Sequence, residues 1–95
     1  MADVVLHRLA ELDFAKAFNW YAERSRRAAL AFDEEVAAAI VRIGFDPERF
    51  ARLDNRHRYC MTNRFPYLVV FRIREHVVIV VAIAHAKRRA YWKRR

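Results

Sequence analysis

Two apolar runs separated by a short polar gap, Phe65 to Ile73 and Val77 to Ala84, form the densest hydrophobic stretch of the chain. Both are rich in Val, Ile, Phe and Tyr, whose branched or aromatic side chains suit a pleated, half-buried backbone, so both are predicted strands. Arg74, Glu75 and His76 lie between them, a gap the length of a hairpin loop although no Gly marks the turn. The two strands are therefore expected to pair antiparallel. Alternation in the second run places Val77, Ile79, Val81 and Ile83 on one face and Val78, Val80, Ala82 and Ala84 on the other. Both faces are apolar, so this strand is predicted to lie centrally with cover on each side. Polar residues begin where the run stops. His85, Lys87, Arg88, Arg89, Tyr91 and Trp92 all follow the end of a rigid strand, and function is expected there.

The N-terminal half carries a different period. Asp3 to His7 reads as a short strand. From Arg8 onward Leu12, Ala15, Phe18, Ala22 and Ser25 recur at spacings of three and four, which predicts a helix, and Phe14, Trp20 and Tyr21 widen its apolar face. A second helical pattern runs through Phe32, Val36, Ala39, Ile40 and Ile43, and Gly44 and Asp46-Pro47 stop it. Read as one helix the two patterns would make a rod of about 36 residues, roughly 54 Å long at 1.5 Å per residue, which overhangs a domain of this size. The polar stretch Arg24-Ser25-Arg26-Arg27 is the natural break, with Ser25 as cap of the second helix. Asp33, Glu34 and Glu35 are then expected in that helix's first turns, where negative charge complements the helix dipole. Residues 48–64 carry five Arg, and Arg58 to Met61 is a further candidate strand. Paired with Phe65 to Ile73 it would bring Arg56, Arg58 or Arg64 beside the tail.

The 95 residues suffice for one two-layer core, so a single domain over residues 1–95 is expected, of α+β class: a short N-terminal strand and a helical hairpin packed on a small antiparallel sheet. The composition is 56% hydrophobic with one Gly and two Pro, which argues against a linker or a disordered segment. The N-terminus lacks the pattern of a secretory signal, and no apolar run approaches the roughly 20 residues that span a bilayer. A cytoplasmic protein without membrane association is expected. The single Cys60 allows no internal disulfide. The net charge of +8 is segregated: residues 1–48 hold six Lys/Arg against nine Asp/Glu, and residues 49–95 hold thirteen against two. Such asymmetry points to a polyanion or an acidic protein segment as partner.

In combination, Trp20-Tyr21, Arg24-Ser25, Phe32, Glu35-Val36, Ala39-Ile40, Ile43, Pro47, Arg64-Phe65-Pro66-Tyr67, His85, Arg88 and Tyr91-Trp92 resemble the RelE/ParE superfamily of toxins from bacterial type II toxin–antitoxin systems. The resemblance covers nearly the whole chain. One departure stands out: many relatives carry Pro-Gly before the Tyr-Trp pair, and here Ala90 alone stands between Arg89 and Tyr91. The resemblance implies growth inhibition by the free protein and neutralisation by a cognate antitoxin in a hetero-oligomer. It implies one of two targets, because RelE-like members cleave ribosome-bound mRNA without a metal, whereas ParE-like members poison DNA gyrase and are not nucleases. A degenerate, non-toxic relative that only binds antitoxin is the alternative.

The residues of the tail permit the nuclease chemistry without demanding it. Cleavage of RNA needs a base for the ribose 2′-hydroxyl, a donor for the leaving oxygen and cations for the developing phosphorane charge. His85 titrates near neutrality, Tyr91 can exchange a proton or stack on a base, and Arg88 can hold a phosphate, which makes His85, Arg88 and Tyr91 the candidate catalytic set. Arg58, Arg64, Arg72, Lys87, Arg89 and Trp92 are the candidate target-binding residues. His85 as a strand-end residue, Tyr91 and Trp92 as tail packing, and Lys93-Arg94-Arg95 as a frayed solvated end are the structural readings of the same positions. The four His show no paired spacing, one Cys completes no thiolate cluster and one Gly excludes a phosphate loop, so neither a metal nor another cofactor is expected.

Overall fold

A computed structural model describes all residues, 1–95. The elements run β1 (Asp3–Leu6), α1 (Arg8–Ala22), α2 (Arg26–Phe45), a short 3-10 turn (Pro47–Arg49), β2 (Arg58–Met61), β3 (Tyr67–Arg74) and β4 (Val77–His85). They form one sheet in the order β1-β4-β3-β2, with the helical hairpin packed on one face. β2 and β3, and β3 and β4, pair antiparallel, and β4 lies inside the sheet as its doubly apolar pattern requires. The sheet is mixed, because β1 pairs with β4 in parallel, in register from Asp3 opposite Val77 to Leu6 opposite Val80. An antiparallel partner can follow a tight turn, but β1 reaches β4 only after the whole helical hairpin, and that long connection admits the parallel sense.

The first helix ends at Ala22 with Glu23 as its cap, and Ser25 begins the second: it sits in extended conformation and its Oγ accepts from the Ala28 N–H at 3.1 Å. Because α2 starts directly after this cap, Arg26 and Arg27 occupy its first turn and no acidic residue does. Asp33, Glu34 and Glu35 therefore lie further along α2 than their expected place beside the positive end of the dipole. Glu35 instead meets Arg64 Nη2 at 3.2 Å.

The buried face of α2 is the one its period predicts, with Phe32, Val36, Ala39 and Ile43 at 4% exposure or less. The face of α1 is rotated from expectation. Ala10 and Ala17 are buried and Phe14, Phe18 and Tyr21 pack on the core, whereas Leu12, Ala15 and Ala22 are exposed. The aromatic residues decide the rotation. Phe14 stacks on Phe32 at 5.6 Å and Tyr21 meets Phe32 at 5.2 Å, burying more area than Leu12 and two alanines offer.

The alternation of β4 breaks in its middle. Val70 is opposite Ala82 while Phe71 is opposite Val80, which leaves Val81 as an extra residue, a β-bulge. Val78, Val80 and Ile83 consequently face the helices, and Val81, Ala82 and Ala84 face the other side. Nothing in an unbroken run of Val and Ala marks such a slip. The hairpin loop is also shorter than the polar gap, since Arg74 pairs with Val77 and only Glu75 and His76 turn the chain. Both have positive φ, 51° and 69°, the geometry of a type I′ turn made without Gly or Asn.

Candidate functional site

β1 stops pairing with β4 where α1 begins; the last bond of that edge runs from the His7 N–H to Val80 O at 2.8 Å. The next backbone groups of β4 on this side would be left open, and side chains close them. Asp13, on the inner face of α1, accepts from the Ile83 N–H through Oδ2 at 3.2 Å. Arg95 Nη1 donates to Val81 O at 3.0 Å, and the Tyr91 hydroxyl lies 3.4 Å from Ile83 O. The same Asp13 oxygen receives Tyr91 OH at 3.1 Å and Arg95 Nη1 at 2.8 Å. One carboxylate thus joins α1, the bulged part of β4 and the C-terminal tail.

The tail is a series of turns that straddles the sheet edge. The Tyr91 hydroxyl and the Arg95 guanidinium reach Asp13 on the helix side, while Tyr91 also packs against the apolar cluster of the other face. Trp92 lies on the opposite face, 6% exposed, over Val70, Val81, Ala82 and Ala84. Arg72 fixes the end of the tail by donating from Nη1 to Arg95 O at 3.1 Å. Arg95 is therefore a held residue and departs from the frayed end expected of Lys93-Arg94-Arg95, because its guanidinium has both a carboxylate and a backbone carbonyl to satisfy.

Between α1 and this tail opens a cleft of about 730 Å³ whose walls include Trp20, Tyr21, Tyr67 and Tyr91, with Lys16, His85, Arg88 and Arg95 around them. His85 stands edge-on to Tyr67 at 5.2 Å, and its Nδ1 accepts the Lys87 N–H at 3.1 Å. A ring nitrogen that accepts carries no proton, so the ring proton sits on Nε2. The Arg88 guanidinium lies 4.8 Å from the Tyr91 ring centre and that of Arg95 4.9 Å from it. Arg95 is neutralised by Asp13; neither Arg88 nor Lys16 has a carboxylate partner. Burial, then the charge of Asp13 and its hydrogen bond, push the Tyr91 phenol up to about 12, against the weaker opposing pull of Arg95 and Arg88.

The three residues proposed for catalysis thus converge on this cleft, but with unequal freedom. Arg88 is exposed, His85 is half-buried with one nitrogen engaged, and the Tyr91 hydroxyl is bound on two sides. The candidate binding residues scatter. Lys87 and Arg89 are exposed in the turns after β4. Arg64 is paired to Glu35 at the β2–β3 loop. Arg58 donates to Glu48 O at 2.9 Å and Phe50 O at 2.8 Å, which ties down the segment before β2. Arg72 and Trp92 belong to the face opposite the cleft. Asp13, Lys16, Tyr67 and Arg95 join the site without having been singled out from the sequence. Asp13 had a signal: it is a carboxylate between Ala10 and Ala17 on the buried face of an amphipathic helix.

No group of three or more His, Cys, Asp or Glu side chains gathers as a metal site, and no helix is long and apolar enough to cross a membrane. No curated protein sequence matches the chain. Among solved structures, a chain of the chromosomal ParDE toxin–antitoxin system from P. aeruginosa superposes with a TM-score of 0.80 at 15% identity, over 92% of this chain and 98% of that one. Residues 4–90 match the family described as the ParE toxin of the type II toxin–antitoxin system parDE. The helical hairpin, the bulged β3–β4 pair and all but the first residue of β1 fall within that match, and the chain belongs to the ParE toxin family.

Proposed function

We propose that this chain is a growth-inhibiting toxin that acts in the cytoplasm by binding DNA gyrase, without a nuclease step, and that a cognate antitoxin holds it inactive. The carrying observation is the state of Tyr91. Its hydroxyl donates to Asp13, with Ile83 O a longer contact at 3.4 Å, and its phenol is pushed up to about 12, so at neutral pH it is no general base. His85 offers the cleft an N–H and keeps its accepting nitrogen for Lys87. The cleft therefore presents cations and donors with aromatic walls, which suits recognition of a partner better than removal of a proton from a 2′-hydroxyl.

The antitoxin reading is supported on the far side of the hairpin. Leu30, Val41 and Phe45 are 47%, 51% and 69% exposed and fall along one stripe of α2, a surface suited to an amphipathic segment. The excess of Lys and Arg after residue 48 suits acidic residues on the same partner.

The test is to add the purified protein to gyrase with relaxed plasmid and, in parallel, to mRNA-programmed ribosomes. Loss of supercoiling with intact mRNA is expected. New mRNA ends that require ribosomes and vanish in Arg88→Ala would overturn the reading in favour of a nuclease. Normal growth of cells expressing the chain alone would reduce it to an antitoxin-binding module.

A further inference from the structure

We infer that Asp13 is the positioning residue of the tail surface: it holds Tyr91 and Arg95 against β4, and through the Tyr91 ring it sets where Arg88 stands. Three donors from two distant parts of the chain converge on its Oδ2, namely the Ile83 N–H, Tyr91 OH and Arg95 Nη1. Its side chain is 14% exposed and that of Arg95 16%, so the pair is shielded from solvent. The guanidiniums of Arg95 and Arg88 both lie over the Tyr91 ring, 4.9 and 4.8 Å from its centre. Arg95 is fixed by the carboxylate, whereas Arg88 has no acidic partner, and the ring is its nearest anchor.

A helix side chain thereby governs a surface at the other end of the chain. Without the charge at Asp13, Arg95 becomes a shielded cation with neutral acceptors alone, the Tyr91 hydroxyl exchanges a carboxylate for a weaker acceptor, and the Arg88 guanidinium is free to leave the mouth of the cleft.

This deepens the proposed binding role of the cleft, and its activity measurement rests on that role; the spectroscopic one does not. Asp13→Asn keeps shape and an accepting oxygen and removes the charge. In protein carrying 13C at tyrosine Cζ, with Tyr91→Phe to assign the signal, Tyr91 of the unaltered protein should stay protonated beyond about pH 10, where an ordinary tyrosine titrates. In Asp13→Asn it should titrate at clearly lower pH, and inhibition of gyrase supercoiling should weaken about tenfold, which corresponds to about 1.4 kcal/mol. Asp13→Asn combined with Arg88→Ala should be no weaker than Arg88→Ala alone, since both act through one guanidinium. An unchanged Tyr91 titration, undiminished inhibition or additive losses would each overturn the inference. If Asp13→Asn does not fold, the pair Asp13→Asn with Arg95→Gln removes the stranded cation and carries the same measurements. If the unaltered protein does not inhibit gyrase, the gyrase reading fails by itself, and growth arrest on expression takes the place of supercoiling.

Discussion

Trp92 meets His57 edge to face, with ring centroids 5.0 Å apart, on the side of the sheet away from the helices. Through this contact the last residues of the chain cover the two strands that lie inside the sheet, β3 and β4. Both side chains are almost fully buried, at 6% and 1% exposure, and Trp92 packs with Val70, Val81, Ala82 and Ala84. A four-stranded sheet with helices on one face alone would leave this apolar strip wet; the tail is its second layer. Trp92→Ala should cost about 3 kcal/mol or more, as large aromatic deletions from a core do. Urea denaturation followed by circular dichroism measures it, and a loss below about 1 kcal/mol would mean that the tail is not docked in solution.

The hairpin turn offers a gain. Glu75 and His76 both hold positive φ, which costs a residue with a Cβ about 1 kcal/mol or more against Gly, and a type I′ turn favours Asn followed by Gly. Glu75→Asn with His76→Gly should stabilise the protein by about 1 kcal/mol, with the looser unfolded chain at Gly offsetting part of the relief. Denaturant midpoints at unchanged slope are the check; a destabilised double variant would show that the two side chains contribute contacts worth more than the strain.

At the other connection, Ser25→Ala should cost about 1 kcal/mol, because the Ala28 N–H loses its acceptor at the start of α2. Ser25→Asp should retain most of that stability, since a carboxylate both accepts the bond and suits the positive helix end. Thermal unfolding of the two variants side by side separates capping from any role of this loop in inhibiting growth, which neither substitution should alter.

What could be read from the sequence follows from how local each cause is. Ser25 acts on an N–H three residues away, and Phe32 to Ile43 repeat one helical period, so cap and buried face were both legible. The Val81 bulge was not, because Val, Ala and Ile suit either face of a strand buried on both sides and no residue pays a penalty that would expose the slip. Leu12 misled the reading of α1 because its period fits nearly as well as that of Phe14 and Tyr21, and only the position of Phe32 on the other helix selects between them. For the candidate site, His85, Arg88 and Tyr91 were expected together from their place after a central strand, and all three line one cleft. Their inequality came from Asp13, far off in sequence, whose role depends on β1 ending early enough to leave Ile83 and Val81 uncovered.

The response to acid should trace to Asp54. Burial by itself would raise its carboxyl, but the N–H groups of Arg56 and His57, at 2.8 and 2.7 Å, and the His57 ring together outweigh it and hold the group below its ordinary value of 3.8. A carboxyl whose folded value is depressed favours the folded state fully above its unfolded value, and that contribution is lost as pH falls from about 4 through the folded value. Asp54→Asn removes the titration while keeping an acceptor for the turn. Unfolding free energies measured from pH 6 down to pH 2 should therefore decline less steeply in Asp54→Asn than in the unaltered protein, with the difference confined to the region below about pH 4. Parallel declines would assign the acid limb to other carboxylates and would leave the Asp54 turn a geometric feature without a measurable electrostatic share in stability.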